Sequence, residues 1–152
     1  MAQKDAPRRI IVQGREEAEA ALRAARRLDR PVSLETPPGG AGAGGALYWI
    51  EVFRQAGEAV PEARFSGVID AAGDAGLAMA CLRAGARAVR FTGRADIQEK
   101  LASMARATGA SLLPADAAGS DEESPLVVAD IRTRADDAAL VEALVSCCRG
   151  DG

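Results

Sequence analysis

Short apolar runs and amphipathic stretches alternate along this chain, with glycine, proline or aspartate at most of the junctions. Near the middle, the apolar run at residues 65–70 is followed by a stretch carrying alanine, leucine, methionine and cysteine, then Gly85, then a second apolar run at 86–91. Strand, helix, glycine, strand is one module of a parallel α/β sheet. The same pattern predicts strands over residues 8–13, 32–36, 65–70, 86–91, 111–113 and 126–131. It predicts helices over 15–28, 46–56, 73–84 and 133–148, and a further helix opened by residues 92–97 and ended by Gly109. Residues 37–45, rich in glycine and proline, read as a loop, and residues 114–125 as a mobile acidic loop.

Individual positions support these boundaries. Ala18, Ala21, Leu22, Ala25 and Leu28 recur at helical spacing, and Glu19 and Arg23 stand one turn apart on the wet side. Pro31 disfavours helical geometry in the residue before it and so closes that helix. Ile97, Leu101, Met104 and Thr108 form the face of the later helix. Thr133 with Asp136 approximates a capping box. The helix at 46–56 differs from the others because it is apolar around most of its circumference, and it holds the chain's one tryptophan and one tyrosine.

The expected fold is a single α/β domain over residues 1–152, with a flexible segment at 1–7 and a mainly parallel sheet. Two architectures fit the order of elements. An open, doubly wound, flavodoxin-like sheet is preferred, because it closes a core within a chain of this length. The alternative is a partial (β/α) barrel, a full one needing about 250 residues.

Composition narrows the function classes. The 152 residues are 48% hydrophobic but only 3% aromatic, so alanine, leucine and valine must build the core. A net charge of −3 supplies no basic field for nucleic acid or an anionic membrane. No apolar stretch approaches the ~20 residues of a membrane span, and the polar start has no secretory core, so a cytoplasmic location is expected. Histidine is absent and no cysteine cluster has metal-ligand spacing, so neither metal nor cofactor is expected. Cys81 falls on an apolar helical face. Cys147 and Cys148 are adjacent, and such side chains point about 100° apart on a helix, a poor start for a joint redox site.

In parallel α/β folds, ligands bind beyond the carboxyl ends of the strands. That rule selects Gln13 and Arg15, Glu35 and Thr36, Asp70 and Asp74, Thr92 and Arg94, and Asp130 and Arg132. Asp74 reads as a helix cap only. Asp70, at the end of an apolar strand and flanked by small residues, is the leading candidate for a base, a hydroxyl acceptor or a metal ligand, and Glu35 on the second strand could join it in acid/base work. Gly40, Gly42 and Gly45 match a dinucleotide-binding spacing, although Pro37 and Pro38 separate them from the strand, and a flexible loop or lid is the simpler reading. Thr92, Gly93 and Arg94, with Gly73 in the neighbouring loop, could hold a phosphate through backbone N–H groups and a guanidinium.

The stretch from Asp70 to Gly93, with Leu82-Arg-Ala-Gly-Ala-Arg-Ala-Val-Arg-Phe-Thr-Gly93 at its core, resembles the late βα modules of phosphate-binding (β/α) barrel proteins, aldolases among them. That resemblance implies a phosphate held in the loop after the strand. Lys4 and Lys100 are the only lysines and neither ends a strand, so it does not extend to Schiff-base chemistry. Asp70 and Thr92 also end consecutive strands as in response-regulator receivers, but the first strand runs into Gln13 and Gly14 rather than an acidic pair. The leading expectation is therefore a small anionic metabolite bound at the strand-end rim by Arg15, Thr92, Gly93, Arg94 and Gly73. The alternative is a protein-interaction or homo-oligomerisation module that exposes Leu47, Trp49, Ile50 and Phe53.

Overall fold

β1 (Arg8–Ile11), α1 (Arg15–Arg27), β2 (Val32–Glu35), α2 (Gly40–Gly44), α3 (Ala46–Ala59), β3 (Phe65–Asp70), α4 (Ala75–Arg83), β4 (Ala88–Arg90), α5 (Ala95–Ala107), β5 (Ser111–Leu113), β6 (Leu126–Val127) and α6 (Asp137–Arg149) follow one another along the chain. The computed structural model describes residues 7–114, 125–128 and 137–149. Most of the 114–125 loop, Asp130, Arg132, Thr133 and Asp136, and the side chains of Cys147 and Cys148 lie outside the described residues. The fold is α/β with a parallel sheet, as expected. Among the described residues, no helix is long and apolar enough to cross a membrane. Two compact units divide the chain: Met1–Leu34 with Val52–Phe65 and Pro125–Gly152, and Glu35–Glu51 with Ser66–Ser124.

In the first unit, β1 lies between β2 and β6. Ile10 stands beside Leu126 and Ile11 beside Val127 in a parallel ladder. A flavodoxin-like sheet would flank its first strand with the second and third. Here the first strand pairs with the last, which is the order of a (β/α) barrel wall, so the second of the two expected architectures describes the connectivity. The small stripe of α1 buries Ala18, Ala21, Leu22 and Ala25 as the spacing predicts, together with Ala20 and Ala24, and α1 packs on α6. Asp29 ends α1 in the left-handed region, φ 49°, where Arg64 donates to both its carbonyl and its carboxylate. Glu19 pairs with Arg15.

In the second unit the strand order is β5-β4-β3, all parallel, with Asp70 beside Arg90 and Val89 beside Leu112. Val68, Ile69, Val89 and Phe91 are sealed, Ala88, Arg90, Leu112 and Leu113 are half-buried, and Ser66 and Ser111, near the amino ends of their strands, are exposed. α4 and α5 pack on β4 and β5 respectively and on each other, burying Ala78, Cys81, Leu82, Leu101 and Ala105.

The glycine tract is not wholly a loop, because Gly40–Gly44 forms one short helical turn. Glycine's low helix propensity argues against this locally; tertiary contacts override it. The Trp49 indole N–H donates to the Gly40 carbonyl at 2.9 Å inside the protein. Gly40 also lies so close to Thr36 that a Cβ there would come within 2.6 Å of Thr36 Cβ.

Burial raises the pKa of the Cys81 thiol above its ordinary value through desolvation. Because the thiolate is the nucleophile, iodoacetamide at about pH 8 is expected to leave Cys81 unmodified in the folded protein and to label it after unfolding. Peptide mass spectrometry distinguishes the three cysteines, and rapid labelling of Cys81 in the native state would contradict this burial.

Candidate functional site

Among the described residues, the buried polar side chains are Glu35, Thr36 and Asp70, at 3%, 2% and 8% exposure. All three sit at the carboxyl ends of β2 and β3, and the backbone places them together. The Thr36 N–H donates to the Val68 carbonyl. The Asp70 N–H donates to Thr36 Oγ1 at 2.9 Å, and the Thr36 hydroxyl donates onward to the Pro37 carbonyl.

Asp70 is buried rather than openly displayed, and its carboxylate organises the loops around it. Oδ1 accepts the Gly39 N–H at 3.2 Å and the Ala72 N–H at 2.7 Å. Ala72 is held at φ 50°, a left-handed conformation that costs a non-glycine residue about 1–2 kcal/mol. It is fixed from both sides, since its N–H goes to Asp70 and its carbonyl accepts the Thr92 N–H at 2.8 Å. Backbone strain that survives because its surroundings over-determine it is common at binding sites. The loops after β2, β3 and β4 are thereby tied to one carboxylate and one strained turn.

Glu35 is paired with Arg90. Its Oε1 accepts from Arg90 Nη2 at 2.7 Å and Nε at 3.2 Å, and Arg90 Nη1 donates to the Pro114 carbonyl at 2.7 Å. The Glu35 and Arg90 side chains are 4% and 11% exposed. The carboxylate is thus held by a guanidinium in a low-dielectric setting. Sequence reading missed Arg90. The available signal was a charged residue in a short strand, on the same face as Asp70 once the register is known.

The phosphate candidates are brought together in part. A Cβ on Gly73 would stand 3.9 Å from Gly93 Cα, so these two turns meet closely. Their N–H groups have no partner among the described residues. Gly93 is also required sterically, because a Cβ there would fall 2.4 Å from the buried Phe91 ring. Arg94 is exposed and makes a two-point pair with Asp96. Asp74 caps α4, its carboxylate accepting the Leu77 N–H. Arg15 belongs to the other unit, where Glu19 and Gln55 engage it.

The aromatic patch is largely internal. Trp49 and Phe53, expected at an interaction surface, are 4% and 8% exposed, whereas Leu47 and Tyr48 are 72% and 48% exposed. The Trp49 indole N–H satisfies the buried Gly40 carbonyl. Ile50 is half-buried.

No family model matches the chain, and no curated protein matches it. Among solved structures, a crystal structure from Coccidioides immitis, provisionally assigned as a fructose-1,6-biphosphate aldolase, superposes with a TM-score of 0.59 at 17% identity. The match covers 93% of this chain and 53% of that one, so the chain spans about half the aldolase's length. Likeness at this identity concerns the fold, and it agrees with the barrel-type strand order.

Proposed function

We propose that the protein binds a small anionic metabolite, with phosphorylated compounds as the leading class, at the carboxyl ends of β3 and β4. One observation carries the reading: the buried polar residues among those described are gathered at adjoining strand ends, where parallel α/β folds bind ligands. The unpartnered amides of Gly73 and Gly93 offer donors to an anion, and Arg94 can leave its exposed pair with Asp96, a pair of a kind that contributes about 0–1 kcal/mol. Fructose 1,6-bisphosphate, the compound in the structural neighbour's name, belongs to the same chemical class. Binding alone accounts for these features and no reaction need follow. A cytoplasmic location suits such a ligand.

A thermal-shift screen against phosphorylated sugars, nucleotides and carboxylic acids tests the proposal. Ligand at a hundred times its dissociation constant is expected to stabilise the fold by about 2.7 kcal/mol. Arg94→Ala is expected to weaken the responding class about 10- to 100-fold, the effect of a lost charged hydrogen bond. A flat response to the whole panel would overturn the proposal.

Exposed Leu47 and Tyr48 favour a second reading, a protein-interaction or homo-oligomerisation surface at the start of α3. Under it, Leu47→Asp would abolish self-association measured by light scattering without altering any metabolite response.

A further inference from the structure

The two oxygens of the Asp70 carboxylate are not equivalent. Oδ1 accepts two backbone N–H groups, from Gly39 and Ala72. Oδ2 has no hydrogen-bond partner among the described residues, although the residue is 8% exposed. It is also not among the fully enclosed polar atoms, so it is reachable from outside. A buried carboxylate normally has its acceptors satisfied, and an oxygen left open in a group otherwise anchored by the backbone calls for a donor from elsewhere. Arg90, the neighbouring cation in register, is directed to Glu35 and to the Pro114 carbonyl.

We infer that Asp70 is the specificity-determining residue of this site, and that the ligand is a phosphate ester carrying a hydroxyl group, which donates to Oδ2, rather than a bare anion or an alkyl phosphate. This rests on the proposed anion site and names its substrate class. The anion is held by the Gly73 and Gly93 amides with Arg94, while Asp70 reads the hydroxyl. An anion without a donor would leave Oδ2 unpaired or push a negative group toward a carboxylate. Sites built to hydrogen-bond a hydroxyl discriminate strongly against analogues that lack it.

Two ligands and one isosteric variant provide the test. Glycerol 3-phosphate and propyl phosphate share the ester and differ in their hydroxyls. Isothermal titration of the full chain is expected to give about 10- to 100-fold tighter binding of the hydroxylated ester. In Asp70→Asn the amide oxygen can still accept from Gly39 and Ala72, while the second position becomes a donor. That variant is expected to keep its melting temperature within a few degrees and to lose most of the preference for glycerol 3-phosphate over propyl phosphate. Equal wild-type affinity for the two esters would overturn the inference while leaving the anion site standing. Binding of neither ester, nor of any other phosphorylated compound, would remove the site itself. A preference that survives in Asp70→Asn would overturn the reading of the hydroxyl as a donor to Oδ2. If Asp70→Asn fails to fold, the wild-type ratio still decides whether the hydroxyl is read.

Discussion

Arg90→Ala is expected to destabilise the protein by about 3–5 kcal/mol, because it leaves the Glu35 carboxylate in a buried site without its counter-ion. Glu35 is 3% exposed, and Arg90 reaches its Oε1 through both Nε and Nη2. The same change releases the Pro114 carbonyl from Arg90 Nη1. For a chain of this size the loss corresponds to a fall in melting temperature of roughly 6–20 °C. The control is the double replacement Glu35→Leu with Arg90→Met. Removing both charges removes the desolvation penalty along with the attraction, so the double variant is expected to recover most of the loss. Differential scanning calorimetry of the two variants decides the matter. An Arg90→Ala protein as stable as the wild type would mean that the pair is solvated in solution.

Trp49→Ala is expected to cost about 3–5 kcal/mol, the range for truncating a buried tryptophan. Trp49→Phe separates the contributions. It retains an aromatic body but removes the indole N–H that satisfies the buried Gly40 carbonyl, at an expected cost of about 1–3 kcal/mol. The damage should be concentrated in α2, since five residues of glycine and alanine have little intrinsic tendency to stay helical. Amide exchange of residues 40–44 in Trp49→Phe is therefore expected to accelerate ahead of the rest of the second unit. In the wild type, Trp49 fluorescence should be blue-shifted and resistant to quencher. A red-shifted, readily quenched tryptophan would reopen the reading of α3 as a bare interaction surface.

The place of Asp70 at the end of β3 and the Asp74 cap were both readable from the chain. Each depends on neighbours within a few residues: an apolar run ending in a carboxylate, small residues after it, an N-cap three residues before the N–H that it binds. The intended partner of Asp70 was not readable. Glu35 and Asp70 both end strands, which made an acid/base pair plausible. The choice between Asp70 and Arg90 as the partner of Glu35 depends on which side chains share a face, and Arg90 is 55 residues away along the chain. Nor could the pattern foresee that Trp49 and Phe53 turn inward, because a helix apolar on most sides has no unique buried face until its neighbours are placed.

Side-chain periodicity is a property of the local backbone, two residues for a strand and 3.6 for a helix. It was enough to establish alternating β and α elements, their approximate limits and the parallel α/β class. Strand order is a different kind of quantity. The pairing of the first strand with the last, Ile10 beside Leu126, brings together segments more than a hundred residues apart, and hydrophobic pattern specifies a face without naming a neighbour. The tertiary structure alone settled that order, the burial of Glu35 against Arg90, and the anchoring of Gly39 and Ala72 on one oxygen of Asp70. These are long-range pairings, in which the desolvation of charged and polar groups selects partners that local propensity does not encode.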